Sequence, residues 1–202
     1  MLTVIEGRVL GCLLEKERTT PDQYPLSLNA LVLACNQSTA RDPLMTIDPH
    51  DVEAAITTMK ANGLARLVHP SHGRSVTRYR QVADEHFRWM PEQAAVIAVL
   101  LLRGPQTVAE LRARTERQHA FRTPEEVEDT LRALASGDEP LVALLERAPG
   151  QKELRWRQLL AEEAEPPARH AAASPPGAMA ERINELEARV ARLEAAIADL
   201  LD

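Results

Sequence analysis

Residues 1–83 and 91–160 carry the same succession of local signals. A chain that repeats itself over such a length folds as copies of one supersecondary unit. In the first stretch Ile5, Val9 and Cys12/Leu13 recur at helical spacing, which predicts a helix over 3–17 with one buried face. The run Thr19-Thr20-Pro21-Asp22-Gln23-Tyr24-Pro25 breaks that pattern. Ser27 suits the N-cap of a second helix ending near Asn36, with Leu28, Leu31, Val32 and Cys35 on one side. Asp48 as N-cap and Pro49 at the first helical position open a third. That helix turns Val52, Ile56 and Met59 inward and stops at Asn62-Gly63. The runs 64–69 and 75–82, around a turn at 70–74, predict a β-hairpin. In its second strand Val76, Arg78, Arg80 and Val82 share one face, and Thr77, Tyr79 and Gln81 the other.

The second stretch follows suit. Residues 91–103 form an apolar helical run, Gly104-Pro105-Gln106 a turn, and Thr107 caps a helix ending near Glu116. Thr123-Pro124 opens another helix, whose Val127, Leu131 and Leu134 match Val52, Ile56 and Met59 at one fixed offset. A second hairpin spans 141–147 and 153–159 around Pro149-Gly150, and Arg78-Tyr79-Arg80-Gln81 returns as Arg155-Trp156-Arg157-Gln158. Three helices followed by a hairpin is the winged variant of the helix-turn-helix. The expected fold is therefore mainly α with small β-hairpin wings: tandem winged-helix domains at 1–83 and 84–160. Residues 161–180, rich in Ala, Pro and Glu, read as a flexible linker.

Residues 181–202 read as a coiled-coil helix. Ile183, Val190 and Ile197 fall at a, and Leu186, Leu193 and Leu200 at d. β-Branched a with Leu at d favours a parallel two-stranded coil. Arg182 and Arg189 at g would then meet Glu187 and Glu194 at e of a second copy, so a homodimer is expected.

A longer resemblance accompanies these patterns. It starts in Arg8-Val9-Leu10-Gly11-Cys12-Leu13-Leu14-Glu15-Lys16 and Thr19-Thr20-Pro21-Asp22-Gln23-Tyr24-Pro25-Leu26-Ser27-Leu28-Asn29-Ala30-Leu31. It continues in Ala34-Cys35-Asn36-Gln37, Arg41-Asp42-Pro43, Leu101-Leu102-Arg103-Gly104-Pro105-Gln106-Thr107 and Glu110-Leu111-Arg112. Over about residues 1–160 the chain resembles the YceH-like family of uncharacterised bacterial proteins. The resemblance implies a tandem winged-helix fold and no particular activity. Many members of that family carry Lys-Ser-Asn before Arg-Asp-Pro. This chain has Ser38-Thr39-Ala40 there, which weakens a phosphate-binding reading of the loop.

Several chemistries are excluded. The sequence has no GxGxxG, Walker loop, HExxH, CxxC or GxSxG, so no catalytic residues and no cofactor are expected. His69 and His72 flank Pro70-Ser71 without Cys or carboxylate neighbours, a poor metal site. Two cysteines, Cys12 and Cys35, are too few for a disulfide framework, and on apolar helical faces they pack as small hydrophobes. No apolar run approaches the ~18 residues of a membrane span, and the first turn, with Glu6 and Arg8, lacks a signal-peptide layout. A cytoplasmic protein without membrane contact is expected.

Charge distribution supplies the functional expectation. No acidic residue lies between Glu53 and Asp84, whereas Lys60, Arg66, Arg74, Arg78 and Arg80 do. With Tyr79 turned inward, Arg78 and Arg80 point outward together, a strip suited to the phosphates of double-stranded DNA. On the second wing Lys152, Arg155 and Arg157 could add phosphate contacts, against Glu146 and Glu153. The third helix of the first copy offers base edges only His50, Asp51, Glu53, Thr57, Thr58 and Lys60. Its counterpart offers Glu125, Glu126, Glu128 and Asp129, which phosphates repel and a helix N-terminus favours. The expected function is a dimeric, non-enzymatic DNA-binding protein, a transcriptional regulator or DNA-associated factor. The alternative is a winged-helix scaffold for a protein partner. Asn36-Gln37 and Arg41-Asp42-Pro43 either line a small contact site or order their own loop.

Overall fold

A computed structural model describes residues 1–69, 76–147 and 153–163. Its first helix, α1 (Val4–Thr19), starts at a reciprocal cap. The Thr3 hydroxyl accepts from the Glu6 amide at 3.2 Å, and the Glu6 carboxylate accepts from the Thr3 amide at 2.9 Å. A 3-10 turn (Pro21–Gln23) and a two-residue strand, β1 (Leu26–Ser27), lead to α2 (Leu28–Cys35), capped by Ser27. Helix α3 (Pro49–Ala61) is capped by Asp48 and buries Val52, Ala55, Ile56 and Met59. The first wing is β2 (Ala65–Val68) with β3 (Arg78–Gln81). A short helix, α4 (Ala83–Phe87), joins the copies. The second copy comprises α5 (Pro91–Arg103), α6 (Val108–Thr115), α7 (Pro124–Ala135), β4 (Val142–Leu144) and β5 (Trp156–Gln158).

The helices and wings fall where the periodicity and caps place them. Two elements differ. Strand β1 extends the first wing into a three-stranded antiparallel sheet of order β1-β3-β2, with Leu26 opposite Tyr79. Two residues are too few to alternate, so no pattern announces them. In the second copy the equivalent contact is a bridge between Gln106 and Trp156, closed by amide–carbonyl bonds of 2.8 and 2.9 Å. Helix α4 is too short for periodicity. Its start is set by the buried Gln81 side chain, whose Oε1 accepts from the amides of Ala83 and Asp84 at 2.7 and 3.2 Å. The boundary read between residues 83 and 84 thus falls inside a helix.

Residues 1–164 form one compact unit. Helix α1 is buried continuously from Glu6 to Leu14, and α5 is apolar and buried almost all round. A helix of that kind must be covered on every side, and each of these covers the other. Gly7 and Gly11, one turn apart on α1, set the closeness of the packing. A Cβ on Gly11 would lie 2.9 Å from Leu102 Cγ, and one on Gly7 would lie 2.6 Å from Ala161 Cβ.

The chain end of the unit also packs here. Leu2 pairs with Ala161 in parallel; the Leu2 amide donates to Leu160 at 2.8 Å and the Glu162 amide to Leu2 at 2.9 Å. Ala161 is buried, so the folded unit runs past the point where composition alone begins a linker at 161. The coiled-coil positions Ile183, Leu186, Val190, Leu193, Ile197 and Leu200 lie outside the described residues, as do Arg74 and Lys152. Among the described residues no helix is long and apolar enough to cross a membrane.

Gly11→Val is expected to destabilise the fold by about 1–3 kcal/mol, because the added carbons have no room against α5. Urea unfolding measures it. Combined with Leu102→Ala, the loss should fall clearly short of the sum of the two single losses; strict additivity would mean that the two positions do not meet.

Candidate nucleic-acid interface

The β2–β3 register sets Arg66 directly opposite Arg80 and Val68 opposite Arg78. Tyr79 and Gln81 point into the core, so Arg78 and Arg80 face outward as the alternation requires. The root of the wing is fixed from below. The Gln81 amide donates to the Tyr24 hydroxyl at 2.7 Å, and Gln81 Nε2 to the Glu17 carboxylate at 2.6 Å. Burial raises the Glu17 pKa despite that bond, and burial together with the Glu17 charge raises that of Tyr24.

The outward face is basic but not bare. Arg78 Nη1 donates to the Pro25 carbonyl at 2.8 Å. Glu85, on α4, accepts from Arg80 Nη2 and lies 3.6 Å from Arg66 Nη1. The acid-free stretch of sequence stops at Asp84, one residue short of this carboxylate. Lys60, in the last turn of α3, is exposed and has no ion pair among the described residues. Lys60, Arg66, Arg78 and Arg80 are thus all on the surface of the first copy, and the only carboxylate paired with them among the described residues is Glu85.

The second wing uses its arginines differently. Arg155 donates to Glu110 at 2.7 Å and to the Pro105 carbonyl at 2.9 Å, tying β5 to the cap of α6. Arg157 pairs with Glu163 at 3.9 Å. On α7, Glu125, Glu126 and Asp129 are exposed, and Arg132 engages Glu128 and Asp129 at 2.9 and 2.5 Å. On α3 the Thr57 and Thr58 hydroxyls donate back to the carbonyls of Glu53 and Ala54 at 2.9 and 3.4 Å.

The Asn36–Arg41–Asp42–Pro43 segment orders its own loop. Arg41 is buried. Its Nε donates to the Ala34 carbonyl at 3.1 Å, and its two Nη atoms reach the Glu15 carboxylate at 3.2 and 2.7 Å. Nη2 also reaches Gln37 Oε1 at 2.8 Å and Cys12 Sγ at 3.5 Å. Arg8 donates to the carbonyls of Cys35 and Pro43 at 3.1 and 2.6 Å, and burial lowers its pKa. The Asn36 amide side chain holds both the N–H and the C=O of Ile47 at 2.8 Å. Cys12 and Cys35 are free and buried, packed as the sequence suggests. Among the described residues no group of His, Cys, Asp and Glu is arranged to hold a metal ion.

One feature has no signal in the sequence. An open groove of about 410 Å³ runs between α6, α7 and the second wing, floored by Val108, Leu144, Leu154 and Trp156 and edged by Glu128 and Arg132. Leu144 and Leu154 are exposed within it. The groove brings together segments distant in sequence, which periodicity cannot register.

The family described as "Protein of unknown function, DUF480" matches residues 2–151. The chain is similar to a UPF0502 protein of Geobacter sulfurreducens, 45% identical over 200 residues, 99% of this chain and 90% of that one. It is likewise similar to UPF0502 proteins of Geobacter metallireducens, 46% identical over 194 residues (96% and 87% of the two chains), and of Shewanella amazonensis, 45% identical over 206 residues (100% and 98%).

The Arg41–Glu15 pair predicts a pH dependence. Burial pushes the Glu15 carboxyl up, but the hydrogen bonds and charge of Arg41, with Lys16, outweigh it and leave its pKa below the ordinary value. A depressed carboxylate contributes stability above the ordinary glutamate range and loses it as pH falls through the folded value. Glu15→Gln should cost about 2–4 kcal/mol at neutral pH. The gap between variant and wild type should narrow as pH falls below the ordinary glutamate range, as followed by urea unfolding.

Proposed function

We propose, from the premise that the chain belongs to the DUF480 (UPF0502) family, that it binds double-stranded DNA through the first wing, without catalysis. The observation that carries the reading is the outward-facing cross-strand pair Arg66 and Arg80, flanked by Arg78 on a wing whose root is tied through Gln81 to Tyr24 and Glu17. Guanidinium groups fixed on a strand pair suit phosphate oxygens, and such contacts position a protein on a duplex without reading its sequence. The α3 surface supports that division. Its threonine hydroxyls are engaged with the helix backbone, and Asp51 and Glu53 face solvent, which leaves little for base edges. Binding is therefore governed by phosphate contacts and falls steeply with salt.

The heptads of 181–202 support a homodimer, which would present two such wings to one duplex. A cytoplasmic regulator or DNA-associated factor is the role consistent with this reading. The groove beside the second wing favours a second reading, a scaffold that takes an apolar segment of a protein partner on the second copy.

Fluorescence anisotropy of a mixed-sequence duplex, titrated at two salt concentrations, tests the reading. Micromolar or tighter binding at low salt is expected. Replacing Arg66, Arg78 and Arg80 together by Ala should weaken it by about tenfold or more on every sequence and flatten the salt dependence. Unaltered affinity in that variant removes the wing from the interface, and no binding by the wild type at low salt favours the scaffold reading. Separately, deleting residues 181–202 should reduce the solution mass from dimer to monomer by light scattering; an unchanged dimer would place the interface within the remaining residues 1–180.

A further inference from the structure

We infer that Arg66 and Arg80 form a two-guanidinium site for one phosphodiester group, and that Glu85 is a built-in competitor occupying that site in the free protein. The inference rests on the DNA reading above and adds a device that sets its strength.

Arg66 and Arg80 are cross-strand partners, and like charges directly opposite each other repel. The structure relieves this with a single carboxylate. One Glu85 oxygen accepts from Arg80 Nη2, and the other lies 3.6 Å from Arg66 Nη1. Two oxygens of one anion, each on a different guanidinium, is the arrangement that the two non-bridging oxygens of a backbone phosphate would adopt.

The carboxylate is placed to be displaced. Arg66 is 64% exposed, Glu85 51% and Arg80 36%, and ion pairs open to water to this extent are weak, the Arg80 arm being the stronger of the two. Glu85 is also not needed to hold its own helix. The start of α4 is fixed by Gln81 Oε1, and its first turn by Asp84 Oδ1 accepting from the Glu85 amide at 2.8 Å. The charged groups paired at the site are Arg66 and Arg80 from the wing and Glu85 from α4; Glu17 of α1 and Asp84 of α4 lie within electrostatic reach of Arg80 on its inner side without an ion pair to it.

The second copy supplies an internal comparison. The position of Arg80 is held there by Arg157, but the residue opposite it is Ala143. Arg157 instead pairs with Glu163 at 3.9 Å. Among the described residues the second wing thus has no two-armed site of this kind.

The test is Glu85→Gln in the full chain, with duplex binding followed by anisotropy at low salt. Removing the competitor should tighten binding by about three- to tenfold and steepen its salt dependence. The gain should vanish when Arg66 and Arg80 are both Ala. Glu125→Gln, which removes the same charge from the exposed start of α7, should change affinity less than about 1.5-fold; an equal gain there would show a net-charge effect and overturn the inference. If Glu85→Gln and wild type bind equally well, Glu85 is no competitor, while the DNA reading stands. If neither binds, both fall. Thermal unfolding of Glu85→Gln close to wild type confirms that the comparison is between folded proteins.

Discussion

The contact between α1 and α5 is the constraint on which the rest of the structure depends. Each copy contributes one helix too apolar to be covered by its own neighbours. Glycine inside a helix costs about 1 kcal/mol relative to alanine, yet Gly7 and Gly11 both sit on the buried stretch of α1. Their missing side chains let Leu101, Leu102 and Ala161 approach within van der Waals range, and close packing over two buried helices offsets that cost. The pairing of Leu2 with Ala161 seals the same seam from the chain ends. The two copies are thus not beads on a string, because the core of each is completed by the other.

Given that core, the long connection between α2 and α3 becomes the next problem. A helix-turn-helix is usually joined by a turn of about 3–4 residues, and here the connection runs from Asn36 to Asp48. The last carbonyls of α2 have no partner within the helix. Arg41 takes that of Ala34 and Arg8 that of Cys35, while Arg8 also reaches Pro43 further along the loop. Two buried guanidinium groups thereby satisfy a helix end and fix the path of the loop. Ala40 turns in the left-handed region at φ 59°, a conformation that Asn accepts more readily than Ala. The position of α3 is consequently set from within, by side chains that are not available to a ligand.

What could be read in the sequence was whatever is decided locally. The Ser27, Asp48, Thr107 and Thr123 caps fix helix starts through bonds to amides three residues on, and the inward faces of α3 and α7 follow from spacing alone. The outward direction of Arg78 and Arg80 follows from strand alternation. What could not be read depends on distant partners. Strand β1 exists because β3 offers it an edge, α4 starts where Gln81 turns back, and Ala161 is buried because Leu2 waits for it. The same holds for the candidate site. Arg66, Arg78 and Arg80 were legible as a basic strip, whereas the anchoring of Arg155 by Glu110 and the placement of Glu85 over the wing are tertiary facts.

The repeat makes the chemical difference between the copies informative. The backbone plan, the side-chain caps of the second and third helices and the inward residues of α3 and α7 agree between the copies, so most of their outward residues need not differ for the sake of the fold. They differ nonetheless. The first wing sets two arginines opposite each other, and the second sets an arginine opposite an alanine and spends its other arginine on an internal tie. The exposed side of α7 is acidic and borders an apolar groove. A protein whose two modules both gripped a duplex would gain by keeping both wings basic. Divergence on the surface over a shared core is instead what the proposed reading requires, with the first wing offered to an anionic polymer and the second copy completing the core that holds the first in shape.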